Sequence, residues 1–144
     1  MKQEQIIVFV CEHGSAKSVV AAAHFNRLAG ERGLELRAIS RGTDPDAEIA
    51  PNAKAGLRAD GLVTSERPPA KLVQADAAGV TRVVTFCELP EAYVTTARVE
   101  RWDGVPPVSE DYEKARDEIV GLIRRLLDEL ESGNQPAPGR DKPR

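Results

Sequence analysis

An apolar run, Ile6 to Val10, leads straight into CEHGSAKS, residues 11–18, and a small-residue helical pattern follows. A turn between a buried strand and a helix start presents backbone N–H groups that have no helical partner. Their partial charges and the helix dipole make the position an anion cradle. Gly14 relaxes the φ limits where such a loop curls inward. Ser15 and Ser18 add hydroxyl donors, Lys17 adds a positive charge, and Glu12, His13 and Ala16 complete the loop, with Glu12 and His13 on its rim, where His13 could donate to an oxyanion or shuttle a proton. A thiol at the head of such a turn is favoured as its thiolate. Ser18 is within reach of the Cys11 sulfur as a hydrogen-bond donor. A thiolate ringed by N–H groups can attack the central atom of a bound tetrahedral oxyanion, which is nucleophilic catalysis with charge stabilisation built in. Cys11, Lys17 and Ser18 are therefore the expected catalytic residues, and Glu12 to Ser18 the expected oxyanion-binding loop. A nucleotide-binding Walker loop does not fit, because that pattern needs Gly immediately before the Lys and Ala16 stands there.

The elements around this loop are legible by periodicity. IIVFV reads as a strand buried on both faces, and residues 18–30 as a helix packing through Val19, Ala22, Ala23 and Leu28. Residues 34–40 alternate as a strand near the sheet edge. Pro51 opens a helix that Gly61 closes. After Pro68 and Pro69 a short helix runs to Gly79, and VTRVVTFC, residues 80–87, is a second buried strand. Residues 96–102 form a weaker strand. From Glu110 to Leu130 the pattern is a long amphipathic helix with Tyr112, Ala115, Ile119, Leu122, Ile123, Leu126, Leu127 and Leu130 on its apolar stripe. Residues 132–144, rich in Pro, Gly and charge, form a tail that can bury little; residues 1–131 are expected to be one domain.

Alternating strands and helices imply a right-handed parallel α/β domain, with ligands bound beyond the carboxyl ends of the strands. Cys11 and Cys87 both fall at that end, one or two strand spacings apart. Cys87 is either a second reactive thiol or a core residue at a strand end. His24 is a packing or surface residue of the first helix, and Arg41 lies near the rim, where a guanidinium would be useful.

Bulk properties narrow the function classes. The chain has 144 residues, 41% hydrophobic and 30% charged, with a formal net charge of −3. The acidic balance and lack of a basic cluster argue against nucleic acid as partner. No apolar run approaches the ~20 residues of a membrane span, and the polar MKQEQ start points to the cytoplasm. Two cysteines and two histidines make neither a disulfide framework nor a zinc signature, so no metal or cofactor is expected.

FVCEHGSAKS resembles the signature loop of the low-molecular-weight protein tyrosine phosphatases and of the thioredoxin-coupled arsenate reductases that share their fold. That signature is a Cys, five residues, an Arg, then Ser or Thr. The resemblance covers about residues 5–131: the Ala-rich first helix, the Gly-Thr turn of AISRGTDPD, the helix APNAKAGLRADG, the strand TRVVTF, Trp102 and the terminal helix. It implies a three-layer α/β/α fold with a four-stranded parallel sheet, and Cys11 as nucleophile. It also implies that Gly14 replaces an asparagine held in a left-handed conformation, and that Ser18 is the thiolate-stabilising hydroxyl.

Two positions depart from the pattern. Lys17 stands where the signature has arginine; it keeps a charge but lacks the planar fork that grips two oxygens. The phosphatases carry an Asp-Pro general acid beyond the tryptophan, where WDGVPPVSE has Pro106-Pro107. Asp103, or Glu110 or Asp111, is the acid this stretch offers instead, each otherwise an ordinary surface charge. In the arsenate reductases the central strand ends in a resolving cysteine, which makes Cys87 the matching thiol; a second resolving cysteine has no counterpart in CELPEAYVTTA. The resemblance thus favours an arsenate reductase-like protein acting on arsenate or phosphate, with thioredoxin, glutaredoxin or a small thiol as electron donor. A low-activity tyrosine phosphatase acting on a phosphoprotein is the alternative, as is a non-catalytic oxyanion-binding or redox-sensing module.

Overall fold

The computed structural model describes residues 5–63 and 67–133. Strands β1 (Gln5–Cys11), β2 (Leu36–Gly42), β3 (Val80–Thr85) and β4 (Arg98–Arg101) form one sheet in the order β2-β1-β3-β4. Every pairing is parallel. Helices α1 (Lys17–Glu31), α2 (Pro51–Ala59) and α3 (Tyr112–Gly133) and a single 3-10 turn at Gln74–Ala77 complete the α/β fold. The four-stranded parallel sheet with flanking helical segments is the expected architecture, and β2 is an edge strand as its alternation predicts.

Side-chain alternation along β1 divides the core. Ile7 and Phe9 point to the face covered by α1 and α3, where they join Val20, Phe25, Ile119, Ile123 and Leu127 in one fully buried cluster. Val8 and Val10 point to the other face and pack with Val83 and Leu72, flanked by Leu89 and Tyr93. The residues covering that second face come from the short 3-10 turn region and the 86–97 loop rather than from a long helix. Phe9 is the hinge of an aromatic row, 5.8 Å from Phe25 and 5.6 Å from Trp102, whose ring in turn meets Phe86 at 5.8 Å. Phe9 and Phe25, both fully buried, each contribute about 1.5–3 kcal/mol of apolar transfer free energy.

Several boundaries and faces differ from the pattern-based expectation. The α3 stripe is buried as expected at Ala115, Ile119, Ile123, Leu126, Leu127 and Leu130, with Tyr112 and Leu122 half-covered. On α1 the deepest residues are Val20, Ala21, Phe25 and Ala29, whereas Ala23 and Leu28 are only partly buried. The reason is that α1 touches the sheet, α2 and α3 together, so more than one stripe is covered and the small residues permit it. Helix α3 continues two residues past the expected domain end at Glu131. Of the expected tail, residues 134–144 lie outside the described residues.

His24 is a packing residue, 5% exposed. Its Nε2 lies 3.3 Å from Asp60 Oδ2 and 3.4 Å from the Tyr112 hydroxyl. Tyr112 donates to Asp60 at 2.7 Å, and Arg116 Nη1 donates to the other carboxylate oxygen at 2.7 Å. This cluster ties the end of α2 to α1 and the start of α3. Burial pushes the imidazole below its ordinary pKa, with Asp60 opposing the shift and Arg116 adding to it. Burial and the hydrogen bond to Asp60 push the Tyr112 phenol well above its usual range.

Candidate active site

β1 ends at Cys11 and α1 begins at Lys17, so residues 12–16 must turn the chain within a short span at the carboxyl edge of the sheet. The loop folds with its carbonyls outward. The carbonyls of Cys11, Glu12, His13 and Ser15 accept from the N–H groups of Thr43, Asp44, Asp46 and Ala50 at 3.1, 2.7, 2.9 and 3.0 Å. Among the described residues, no N–H from Glu12 to Ser18 donates to a backbone carbonyl. The helix that follows has no side-chain cap. Seven consecutive donors are thus left for something other than the backbone, which is the arrangement an anion requires.

Gly14 has φ +61, the left-handed conformation expected of this position. A second constraint was invisible in the sequence pattern: a Cβ on Gly14 would stand 2.8 Å from the backbone N of Gly42. The loop and the end of β2 touch backbone to backbone, which is why the Gly-Thr turn begins with a glycine.

Cys11 is 8% exposed and its Sγ is hydrogen-bonded to the Ser18 hydroxyl at 3.1 Å. Ser18 is fully buried on the first turn of α1, so its hydroxyl has a fixed approach to the sulfur. When the sulfur is ionised, the hydroxyl is the donor of this pair. Cys11 opens into a cavity of about 390 Å³ whose wall also carries Glu12, His13, Ser15, Ala16 and Lys17. Gly14 and Ser18 are not among the residues that line it. Lys17, the first residue of α1, makes no ion pair or hydrogen bond among the described residues, so its ammonium has no internal partner.

The same cavity is lined by Cys87. β3 is the neighbour of β1, with Val10 opposite Thr85, so the two thiols stand one strand apart at one rim. Cys87 lies just past the strand end, half-buried. Thr85 holds it there: its hydroxyl donates to the Cys87 carbonyl at 2.7 Å and accepts from the Cys87 N–H at 3.2 Å. Phe86, Ala50, Pro107 and Val108 supply apolar walls. Phe86 is anchored by its N–H to the Val10 carbonyl at 2.8 Å.

Asp46 is the site residue that pattern reading missed. It lines the cavity, accepts from the buried Ser15 hydroxyl at 2.8 Å and lies 3.4 Å from His13 Nδ1. The only sequence signal for it was its place in the turn-rich RGTDPD segment, which periodicity treats as a connection.

Two expected helpers are placed elsewhere. Arg41 donates to Asp76 at 3.2 Å and to the Ser40 carbonyl at 2.8 Å, and lines a separate cavity beside β2. It does not supply the guanidinium that the loop lacks, because Asp76 and its own strand hold it away. Asp103 pairs with Arg101 at 2.9 Å with its side chain 73% exposed and is not among the residues lining the Cys11 cavity. Nor are Glu110 and Asp111; Asp111 instead accepts from the Lys114 N–H at the start of α3. From the segment after Trp102 the cavity receives Pro107, Val108 and Ser109, none of which can donate a proton as a carboxylic acid would.

Residues 6–135 match the family described as low molecular weight phosphotyrosine protein phosphatase. The chain belongs to that family. Among solved structures, the phosphatase-family fold is shared with YfkJ from Bacillus subtilis, at 18% identity and a TM-score of 0.82 over 93% of this chain and 99% of that one. An arsenate reductase from Archaeoglobus fulgidus is 29% identical with a TM-score of 0.68, over 85% of this chain and 98% of its own. A low molecular weight protein tyrosine phosphatase from T. tengcongensis is 21% identical with a TM-score of 0.69, over 87% and 99%. No curated protein matches the chain in sequence. Family membership places the loop of residues 11–18 in its phosphatase context, while similar structures include both a reductase and a phosphatase.

Proposed function

We propose that this chain is a cysteine-dependent enzyme acting on a tetrahedral oxyanion, with Cys11 as nucleophile and arsenate reduction as its reaction. The observation that carries the reading is that Cys11 and Cys87 line one cavity at the ends of adjacent strands, beside a loop whose N–H groups lack backbone acceptors. Arsenate held by those groups and Lys17 is attacked by the Cys11 thiolate; an S–As bond forms and hydroxide leaves as water once protonated. Cys87, as thiolate, then attacks the Cys11 sulfur. An S–S bond forms, the S–As pair of electrons passes to arsenic, and arsenite departs as As(V) becomes As(III). The Cys11–Cys87 disulfide is returned to two thiols by an external dithiol or by two equivalents of a small thiol, with thioredoxin and glutaredoxin as the protein candidates. No metal or organic cofactor enters any step.

The chemistry suits a reducing compartment, which supports a cytoplasmic location. No helix among the described residues is long and apolar enough to cross a membrane. The apolar walls Phe86, Ala50 and Val108 favour hydrolysis of aryl phosphates, including those of a phosphoprotein, as the second reading, slowed by the absence of the Asp-Pro acid.

The deciding experiment measures arsenite release with thioredoxin, glutaredoxin or glutathione supplied in turn. Turnover that is lost in both Cys11→Ser and Cys87→Ser supports the reductase. Loss in Cys11→Ser alone, with Cys87→Ser undiminished, removes the resolving role of Cys87 and leaves reduction completed by the external thiol, whereas Cys11-dependent hydrolysis of an aryl phosphate with no arsenite release leaves the phosphatase reading. Reversible oxidation of Cys11 with no turnover on arsenate or aryl phosphate identifies a redox-sensing module instead.

A further inference from the structure

We propose that His13, oriented by Asp46, is the proton donor of this site and takes the place of the absent Asp-Pro acid. The inference rests on Cys11 being the nucleophile. Departure of hydroxide or an alkoxide from a tetrahedral oxyanion needs a proton, and a positioned donor is worth about 10²–10⁴ in rate. The segment after Trp102 brings no acid to the cavity. Of the residues that do line it, His13 is the imidazole, and a carboxylate stands beside it: Asp46 Oδ1 lies 3.4 Å from its Nδ1.

Asp46 is itself fixed. Its N–H donates to the His13 carbonyl at 2.9 Å, and its other carboxylate oxygen accepts from Ser15 at 2.8 Å. A carboxylate beside Nδ1 orients the ring and leaves Nε2 without a partner among the described residues. The other titratable groups on this cavity are Cys11, Glu12, Lys17 and Cys87. Glu12 makes no side-chain hydrogen bond among the described residues, so nothing there holds its carboxyl in one place.

The proton balance closes over two steps. The Cys11 sulfur bonds to the central atom while the bond to the leaving oxygen breaks, and imidazolium Nε2–H passes its proton to that oxygen. The neutral ring then takes a proton from the attacking water, the S–P bond breaks and phosphate leaves with the thiolate restored. With arsenate the leaving group is water in the first step, and the ring is reprotonated from solvent before the next turnover.

Inorganic phosphate and labelled water provide the test, because oxygen exchange between them requires water as leaving group, whereas 4-nitrophenolate leaves almost unaided. Wild-type protein should exchange phosphate oxygen and release a burst of 4-nitrophenolate from 4-nitrophenyl phosphate. His13→Gln should slow exchange by at least about thirtyfold and the burst by no more than about threefold. It should also abolish the alkaline limb of the exchange-against-pH profile. Asp46→Asn should slow exchange while sparing the burst, a split that a purely structural loosening of the loop would not produce. Equal losses in exchange and burst, or no loss in either, would overturn the assignment. So would Glu12→Gln reproducing the His13→Gln pattern while His13→Gln retains exchange. A wild-type burst that Cys11→Ser abolishes keeps the nucleophile reading intact in all those cases; absence of both burst and exchange in the wild type removes the two together.

Discussion

Gly14 and Gly42 meet backbone against backbone: a Cβ on Gly42 would lie 2.7 Å from the Gly14 N, and one on Gly14 2.8 Å from the Gly42 N. The contact presses the 12–16 loop against the end of β2 and lets the 43–50 segment collect the loop's carbonyls. Gly42→Ala is expected to cost about 1–3 kcal/mol, the usual range for forcing extra volume into packed backbone. Denaturant unfolding measures that cost. Phosphate should also cease to protect Cys11 from iodoacetamide, since the loop must open to admit the methyl group.

Ser18 holds the Cys11 sulfur, the proposed nucleophile, through its hydroxyl at 3.1 Å. A hydrogen bond to a charged group contributes about 1.5–3 kcal/mol, so Ser18→Ala should slow single-turnover attack by Cys11 by about 10- to 100-fold. The fold should persist, because the buried change removes only one hydroxyl. Rapid-quench measurement of the first turnover separates this from any effect on product release.

Lys17 has a charge but no fork. Lys17→Arg should raise turnover of an aryl phosphate, because a guanidinium can grip two transition-state oxygens where an ammonium grips one. Lys17→Ala should weaken phosphate protection of Cys11 without unfolding the protein. No gain in Lys17→Arg would mean that proton delivery, not oxyanion grip, limits the reaction.

The His24 cluster gives stability a pH dependence unconnected with catalysis. The folded-state pKa of His24 lies below its unfolded value near 6.5, so the unfolded chain binds more protons as pH falls. His24 therefore favours the folded state fully above that unfolded value and progressively less as pH drops toward the folded one. Urea midpoints should decline below about pH 6.5, and His24→Asn should flatten the decline. Tyr112→Phe removes a donor from Asp60 and should cost about 1.5–3 kcal/mol at pH 7, read from the same unfolding curves.

Local signals carried much of this protein. The run from Ile6 to Val10 could only be a buried strand, and what followed it could only be a turn into a helix, so the Cys11–Ser18 hydrogen bond and the left-handed Gly14 were readable from spacing alone. The α3 stripe was equally legible because one face of a long helix repeats its apolar residues regularly. Contacts across the chain were not. Asp46 sits in a turn whose own residues give no periodicity, and its partners Ser15 and His13 lie 31 and 33 positions away. Arg41 and Asp103 carried charges that fitted the missing functions, and only the positions of Asp76 and Arg101 show where those charges are spent.

The sequence by itself determined the order of the elements and the strand-loop-helix that carries Cys11, since each depends on residues adjacent in the chain. The tertiary structure alone decided which groups share the cavity with Cys11. That outcome depends on strand order and loop packing: β3 lies beside β1 and so brings Cys87 in, while the 43–50 segment folds over the loop and brings Asp46 to His13.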